Sequence, residues 1–503
     1  MKLTILCLNL IAILLMSTVS LGFSQNSEMS TKLNISDWEQ INIDGFGSRY
    51  ARGPRGIEIF NDTLVIGTAN FNSDTIFEKG KSWKIMELRQ FYFSCLSLKN
   101  IPSDGCEIWG YKDGNWSQLV GKNGTMPSGF GDLNNSEIGF LIKFKNYLYA
   151  GLRNALDGGQ IWRTNDLINW EMVADKGLGN IHDTWFMEAA VFNNELYVGT
   201  YNYVDGCEIF RTDDGVNWTE SVGNNSKIKS GFGFRTNVYA WSSAVYDGHL
   251  YIGTNNLEGG CELWKTKDGV NWKPVIAYRT WIEAFLHGAD FPRGFSRKTI
   301  LDSSLFMAVK TNFRGGIRSM VVYKDELYLG IAAEDLSGYL EIQGLGKILT
   351  IQQGFPRILY PIRRMLSMGC EIWKYNATSD KWAQVVGGIN KGNFSGGFGD
   401  ITNEYPWSMI VHDDYMYVGT MNGDPMRFTL IRMGLLRWNI TWNMPTGNAQ
   451  LWRYDGKKLE KINENAYGDN YNVGIREMMM YHNSLFASTM NLKTGCKVWK
   501  CDI

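Results

Sequence analysis

One short unit returns seven times along the chain and limits what the chain can fold into. Its clearest copies are GGCELWKTKDGVNW (Gly259 to Trp272) and DGCEIFRTDDGVNW (Asp205 to Trp218). Weaker copies are DGCEIWGYKDGNW (Asp104 to Trp116), GGQIWRTNDLINW (Gly158 to Trp170) and GCEIWKYNATSDKW (Gly369 to Trp382). NAQLWRYDGKKLEKI (Asn448 to Ile462) and the terminal TGCKVWKCDI are degraded copies. Within a copy, Cys261, Leu263 and Trp264 alternate with Glu262 and Lys265, the period of a half-buried strand. A Thr-Lys-Asp-Gly turn follows, in which Asp268 can accept backbone N–H groups and Gly269 supplies a positive φ. Trp272 then opens a second strand.

A second hairpin precedes each unit, at residues 57–70, 141–154, 189–202, 243–256, 320–333, 409–422 and 478–491. Each is a hydrophobic strand, a polar two-residue turn and a strand ending in Gly-Thr or its equivalent, as in SAVYDGHLYIGTNN. Two hairpins per repeat make a four-stranded antiparallel sheet. The last repeat ends at Ile503 without its fourth strand, and Asp37 to Ile43, DWEQINI, reads like the missing piece. The expectation is an all-β chain: a seven-bladed β-propeller over residues 36–503, closed by an N-terminal strand that completes the last blade and leaves no open edge.

The turns at Thr212 to Trp218 and Thr266 to Trp272 resemble the Asp box (Ser-x-Asp-x-Gly-x-x-Trp) of BNR-like repeat propellers, with Thr for Ser, and these two copies fit it best. That resemblance implies the fold and carries no activity, because the box braces hairpins in enzymes and non-enzymes alike. At 503 residues a chain of this length suggests about three domains, but the repeat favours one ring with insertions. A content of 55 Gly against 10 Pro, with 14% aromatics, suits strands and turns around a large core. A net charge of −1 gives no reason to expect nucleic acid as a partner.

Met1-Lys2, an apolar run from Leu3 to Met16 and the small residues that follow read as a signal peptide over 1–24, cleaved after Ser20, Gly22 or Ser24. The alternative is an uncleaved anchor, since Leu3 to Phe23 is long enough to span a bilayer. Either way the chain is expected to be secreted or at the cell surface, and ten Asn-x-Ser/Thr sequons make it a candidate glycoprotein. Seven cysteines lie beyond the signal segment. Five share one repeat position and fan apart around a ring, so they read as small buried residues, and Cys95 with Cys106 is the one pairing entertained. No Cys-x-x-Cys or His-rich cluster suggests a metal, and no cofactor is expected.

Four insertions interrupt the repeat, at 71–103, 275–316, 334–368 and 423–446. All leave from connections on one face and are expected to build a lid there. Residues 347–366 and 426–442 mix large apolar residues with Arg and contain no acid, a pattern for a membrane surface, an anionic ligand or a small accessory core with snorkelling arginines.

The same face carries the candidate site. With the first strands aligned on Phe60, Phe144, Phe192, Tyr246, Tyr323, His412 and Tyr481, the position five residues earlier reads Arg55, Gly139, Met187, Trp241, Arg318, Trp407 and Arg476. This position is expected to start the innermost strand, at the mouth of the central channel. The next position adds Glu188 and Glu477. Arginine clusters hold carboxylate, phosphate or sulfate through paired hydrogen bonds, and Trp faces are platforms for sugar rings. Arg55, Arg318, Arg476, Trp241, Trp407, Glu188 and Glu477 therefore form the candidate ligand site. A purely structural alternative pairs the arginines with Glu188, Glu477, Asp132 or Asp400.

An arginine trio on a propeller face resembles sialidases, which use such arginines to hold a substrate carboxylate. The chain departs from that family in blade number and in reading Gly53-Pro54-Arg55-Gly56 where sialidases have Arg-Ile-Pro. Tyr50 with Glu188 or Glu477 is the pair that a sialidase-like nucleophile would use. The recurrent Glu107, Glu208, Glu262 and Glu371, replaced by Gln160, Gln450 and Lys497, serve each blade and are not read as catalytic. Three functions stand: a non-enzymatic exported propeller that binds a glycan or other anionic ligand, a glycoside hydrolase or lyase on an acidic sugar, and a structural envelope protein.

Overall fold

The computed structural model describes residues 37–70, 103–256, 261–276, 316–333, 369–387, 394–400, 403–422, 449–463, 465–491 and 493–503. Regular structure there is all strand apart from short 3-10 turns. The first strand, β1, is Glu39–Gln40. The first group then runs β2 (Ala51–Phe60), β3 (Thr63–Asn70), β4 (Ile108–Lys112) and β5 (Asn115–Val120). Next come β6 (Asn135–Phe144), β7 (Tyr147–Asn154), β8 (Ile161–Thr164) and β9 (Glu171–Ala174), then β10 (Trp185–Phe192), β11 (Glu195–Tyr201), β12 (Ile209–Thr212) and β13 (Thr219–Val222). The fourth group is β14 (Asn237–Tyr246), β15 (His249–Asn256), β16 (Leu263–Thr266) and β17 (Trp272–Ile276). The fifth is β18 (Gly316–Tyr323), β19 (Glu326–Ala332), β20 (Glu371–Asn376) and β21 (Lys381–Val386). The last two are β22 (Asn403–His412), β23 (Tyr415–Asn422), β24 (Leu451–Tyr454) and β25 (Leu459–Lys461), then β26 (Asn472–Tyr481), β27 (Ser484–Asn491) and β28 (Lys497–Asp502).

Each strand pairs antiparallel with the next in its group. β1 adds to β28 with Glu39 opposite Lys500, the partner expected for the N-terminal stretch. Asn42 fixes this register, its side chain donating to Cys496 O at 3.2 Å and accepting from Val498 N at 2.7 Å. The polar two-residue turns of the first hairpins take positive φ, as at Asn61 and Asp62 or Asn193 and Asn194, the type I′ geometry that matches strand twist.

The core lies between groups. Phe60, Val65 and Ile108 of the first group pack with Ile138, Leu141 and Leu148 of the second. Leu64 and Ile66 on the other face of the first group meet Tyr481, Phe486 and Val498 of the last. The first strands touch in cyclic order, β2 against both β6 and β26.

A second repeated motif, which strand and turn periodicity do not anticipate, holds these layers. A Gly-Phe-Gly turn precedes most first strands, with Phe46, Phe130, Phe232 and Phe398 at its centre, Leu178 or Tyr467 elsewhere. These central residues sit at φ between 53° and 61°, a left-handed conformation that costs a bulky residue about 1–2 kcal/mol. Stacking outweighs that cost. Phe232 lies 4.7 Å from Trp264 in parallel and 5.5 Å from Trp272 edge-on, and Phe130 repeats this with Trp162 and Trp170. Each such pair contributes about 0.5–1.5 kcal/mol beyond area burial.

The Thr-x-Asp turns brace the second hairpins. Asp268 accepts from the N–H groups of Val270 and Asn271 and from the Asn271 side chain, while Thr266 Oγ1 accepts from Gly269 N. Asp214 repeats the pattern. So does Asp166, in a copy outside the two that fit the box best, because Leu167 adopts the φ of 65° that glycine supplies elsewhere. The recurrent glutamates serve their own sheets: Glu107, Glu262 and Glu371 each accept from the indole N–H two residues on.

Several expectations fall on residues outside those described. They include the lid, the arginine-rich stretches 347–366 and 426–442, Cys95 and the signal segment. Val275 and Ile276 belong to β17 and Gly316 to β18, so the insertion between them is 277–315.

Candidate functional site

All seven aligned positions are the extra residue of a β-bulge in the first strand of their group. Arg55 and Gly56 interrupt the ladder between Pro54 and Ile57, and Gly139, Met187, Trp241, Arg318, Trp407 and Arg476 do so in β6, β10, β14, β18, β22 and β26. A bulge re-aims one side chain out of the alternation of its strand. The position does not start the strand, as the repeat spacing suggested; β6 begins at Asn135 and β26 at Asn472, because a buried Asn and a first bulge precede it.

Neighbouring first strands are tied together at this level. Ser242, Ser319 and Ser408 each donate their hydroxyl to the next group, to Ile317 O at 2.7 Å, Pro406 O at 2.7 Å and Ile475 O at 3.0 Å. Gly56 N donates to Glu477 Oε1 at 3.2 Å, linking the last group to the first. Ser243 Oγ donates to Glu188 Oε1 at 2.6 Å.

The position two residues before each bulge completes the site and is missing from the sequence expectations. It reads Gly53, Glu137, Trp185, Tyr239, Gly316, Tyr405 and Gly474. Bulky bulge residues lie over the glycines of the next group. A Cβ on Gly474 would strike the Trp407 ring, one on Gly316 the Trp241 ring, and one on Gly53 would come 2.9 Å from Arg476 Nη1. Where the position is aromatic it builds a wall. Tyr239 stacks on Trp241 at 5.4 Å and on Tyr201 at 4.2 Å, and Tyr405 meets Trp241 and Trp407 edge-on at 5.9 and 6.2 Å.

The arginines lie on this wall. The Arg55 guanidinium is 3.9 Å from the Trp185 ring centre and Arg153 is 5.3 Å from it. Arg318 lies 5.3 Å from Trp241 and 5.8 Å from Trp407, and Arg476 lies 5.1 Å from Trp407. Such contacts contribute about 0.5–2 kcal/mol each, more as water is removed. Glu137 binds Arg153 at 2.8 Å and stands 4.0 Å from Arg55. Arg55 Nε donates to Gly139 O at 3.3 Å.

Burial and mutual repulsion make this an under-neutralised positive cluster. Burial first, then Arg476, holds Arg55 well below the usual arginine range. The same two causes bring Arg318 down to about 10, and burial lowers Arg476. Arg153 is also buried, but the charge of Glu137 keeps it above its ordinary value. Burial pushes Glu188 up to about 7, against the pull of Ser243 and Arg318, and raises Glu477 as well. Because guanidinium does not deprotonate in proteins, the direction of these shifts marks a cluster that added negative charge would stabilise.

The structural alternative for the loop acids fails. Asp132 accepts from Asn154 Nδ2 at 2.9 Å, and Asp400 from Asn422 and Gln450 at 3.2 and 3.0 Å. The acid beside Arg55 is Glu137, which the residue-by-residue alignment would have shown two places upstream. Tyr50 lies on the turn before β2 and accepts from Arg49 Nη2 at 3.0 Å.

No family model matches the chain. No curated protein matches it either. Among solved structures it is similar to an α-L-arabinofuranosidase from Clostridium thermocellum, at 13% identity and a TM-score of 0.29 over 69% of this chain and 97% of the other. An α-L-arabinofuranosidase from Podospora anserina, in complex with cellotriose, gives 11% identity and a TM-score of 0.28 over 50% of this chain and 76% of that one. The acylaminoacyl peptidase of Pyrococcus horikoshii gives 8% identity and a TM-score of 0.38, over 92% of this chain and 53% of the peptidase. Likenesses this distant speak to neither activity nor ligand.

Proposed function

We propose that the chain is an exported seven-bladed β-propeller that binds an acidic glycan at the mouth of its central channel, without turning it over. The blade reading rests on the repeated four-strand pairing, on β1 completing the group of β28, and on the packing of β26 against β2. The observation that carries the binding reading is the convergence, on one ring of bulges, of Arg55, Arg318 and Arg476 with Trp241 and Trp407. Arginines supply fixed pairs of donors for an anion, and indole faces supply a platform for the ring that carries it. Export rests on the apolar segment after Met1-Lys2.

The test is a screen of the protein against acidic and neutral glycans, beside Arg318→Ala and with hydrolysis followed in the same samples. Binding of acidic glycans that weakens at least tenfold in the variant, without turnover, is the expected result. Equal binding of neutral and acidic glycans would remove the site from the account. A second reading, glycoside hydrolysis, is favoured by one observation: Glu188 and Glu477 are carboxyls raised by burial beside the arginines, as a general acid needs to be. Turnover that disappears in Glu188→Gln would put that reading first.

A further inference from the structure

On the reading that the chain is exported, we propose that it carries N-linked glycans at Asn123, Asn134 and Asn224, in preference to the sequons of the hairpin turns. The sequons on described residues divide by what their carboxamides do. Asn61, in the turn between β2 and β3, donates Nδ2 to Asn165 O at 3.2 Å and so ties the first group to the second. Asn115, where β5 leaves its turn, donates to Asp113 O at 2.9 Å, and Asn217, just before β13, donates to Asp214 Oδ2 at 2.6 Å. Asn376, half-buried at the end of β20, accepts at Oδ1 from Ser379 N and Oγ at 2.9 and 3.0 Å. Each of these four side chains already holds a turn.

Asn123, Asn134 and Asn224 hold nothing. All three are exposed, and among the described residues their carboxamides make no hydrogen bond. Asn123 and Asn224 stand on equivalent arches. Val120 and Val222, the last residues of β5 and β13, bridge in parallel to Met126 and Ile228, and Gly121 N and Gly223 N close the arches on Met126 O and Ile228 O at 2.8 and 2.9 Å. The backbone alone shapes each arch, so its Asn side chain is spare. These connections enter β6 and β14, two of the bulged strands, at the end of the sheets opposite the hairpin turns.

The chemistry needs a carboxamide that is reachable and uncommitted. Nδ2 attacks the anomeric carbon of an oligosaccharide carried on a lipid diphosphate. The C–N bond forms as the C–O bond breaks, the lipid diphosphate leaves with that electron pair, and Nδ2 gives up one proton to a base of the transferring enzyme. An amide already bonded into a turn must first give up that bond. There is also room for the product. An open groove of about 410 Å³ lies beside Asn123 and Asn134, lined by Gly121, Lys122, Thr125, Pro127 and Leu133. Leu133, next in the chain to Asn134, is 56% exposed. The C–H face of a first sugar placed there removes that apolar surface from water.

The experiment is peptide mapping by mass spectrometry of the full chain isolated from the cells that make it, with each sequon peptide read for an added oligosaccharide. Intact masses of Asn123→Gln, Asn134→Gln and Asn224→Gln, produced in the same cells, are measured beside it. The expected result is occupancy of all three positions, at least tenfold above that of Asn61, Asn115, Asn217 and Asn376, with each variant lighter by one glycan. Occupancy of those four that equals or exceeds that of the three overturns the selection. A bare chain recovered from the medium or the cell envelope overturns the modification and leaves export standing. A bare chain recovered from the cytoplasm overturns export and the modification with it.

Discussion

At the scale of single residues, two buried carboxyls make the protein sensitive to pH in ways that can be separated. Glu188, raised to about 7, is neutral below that pH and negative above it. An anion beside Arg318 therefore meets a more positive site as pH falls. Binding of a sugar acid should tighten by up to about tenfold from pH 8 to pH 6, and Glu188→Gln should flatten the profile; an unchanged slope in that variant would assign the dependence elsewhere. Asp183 is the second case. It occupies the place where Asn237 and Asn403 donate Nδ2 to Gly231 O and Gly397 O, while their Oδ1 atoms accept from Thr254 and Thr420. Asp183 Oδ1 likewise accepts from Thr200 and Asn202, but Oδ2 is buried without a partner. Burial first, and then the charge of Glu208, push its carboxyl well above the ordinary range, so folding favours its protonated form. Stability from this group is full below the ordinary carboxylate pKa and is lost as pH rises above it. Asp183→Asn should raise stability near neutral pH by about 1–3 kcal/mol and remove that pH dependence; a lower melting temperature in the variant would contradict the assignment.

At the scale of the element, the Gly-Phe-Gly turn is the device that locks one sheet to the next. Phe232→Ala should cost about 3–5 kcal/mol in denaturant unfolding, because the ring fills the space between Trp264 and Trp272. Phe232→Leu should cost markedly less, since Leu178 holds the equivalent place. Equal losses in the two variants would mean that the backbone conformation, not the side chain, does the locking. The strands and their pairing were legible because the period-2 alternation and the type I′ turn residues recur in every copy. The aromatic turn was equally present in the letters, as SGFG at 128–131 and 230–233, but it obeys neither a strand nor a helix period. The bulge position is legible once the repeats are aligned, and its partner two residues upstream is not, because glycines there carry no chemistry of their own. Only the structure shows that Gly474 and Gly53 are the seats of Trp407 and Arg476. The turn at Asp166 is not legible in the letters, because Leu167 takes a conformation that letters alone assign to glycine.

At the scale of the whole molecule, the N-terminal stretch joins the two ends of the chain. Ile41 donates to Val498 O at 2.9 Å and accepts from Trp116 Nε1 at 2.9 Å, and Trp38 meets Tyr467 at 5.2 Å. Deletion of residues up to Asn42 should therefore lower the melting temperature sharply and expose β28 to association, read by calorimetry and light scattering; an unchanged monomeric melt would show that closure does not depend on this strand. Arg476 of the last group lies over Gly53 of the first, so the site exists only when these two groups pack together. The measurement that bears most directly on the central claim is a crystal structure of the protein with a uronate oligosaccharide. Density for its acidic group at the arginines of the bulge ring, Arg55, Arg318 and Arg476, with a sugar face on Trp241 or Trp407, is the predicted result. Density elsewhere, with the three guanidiniums unengaged, would contradict the account.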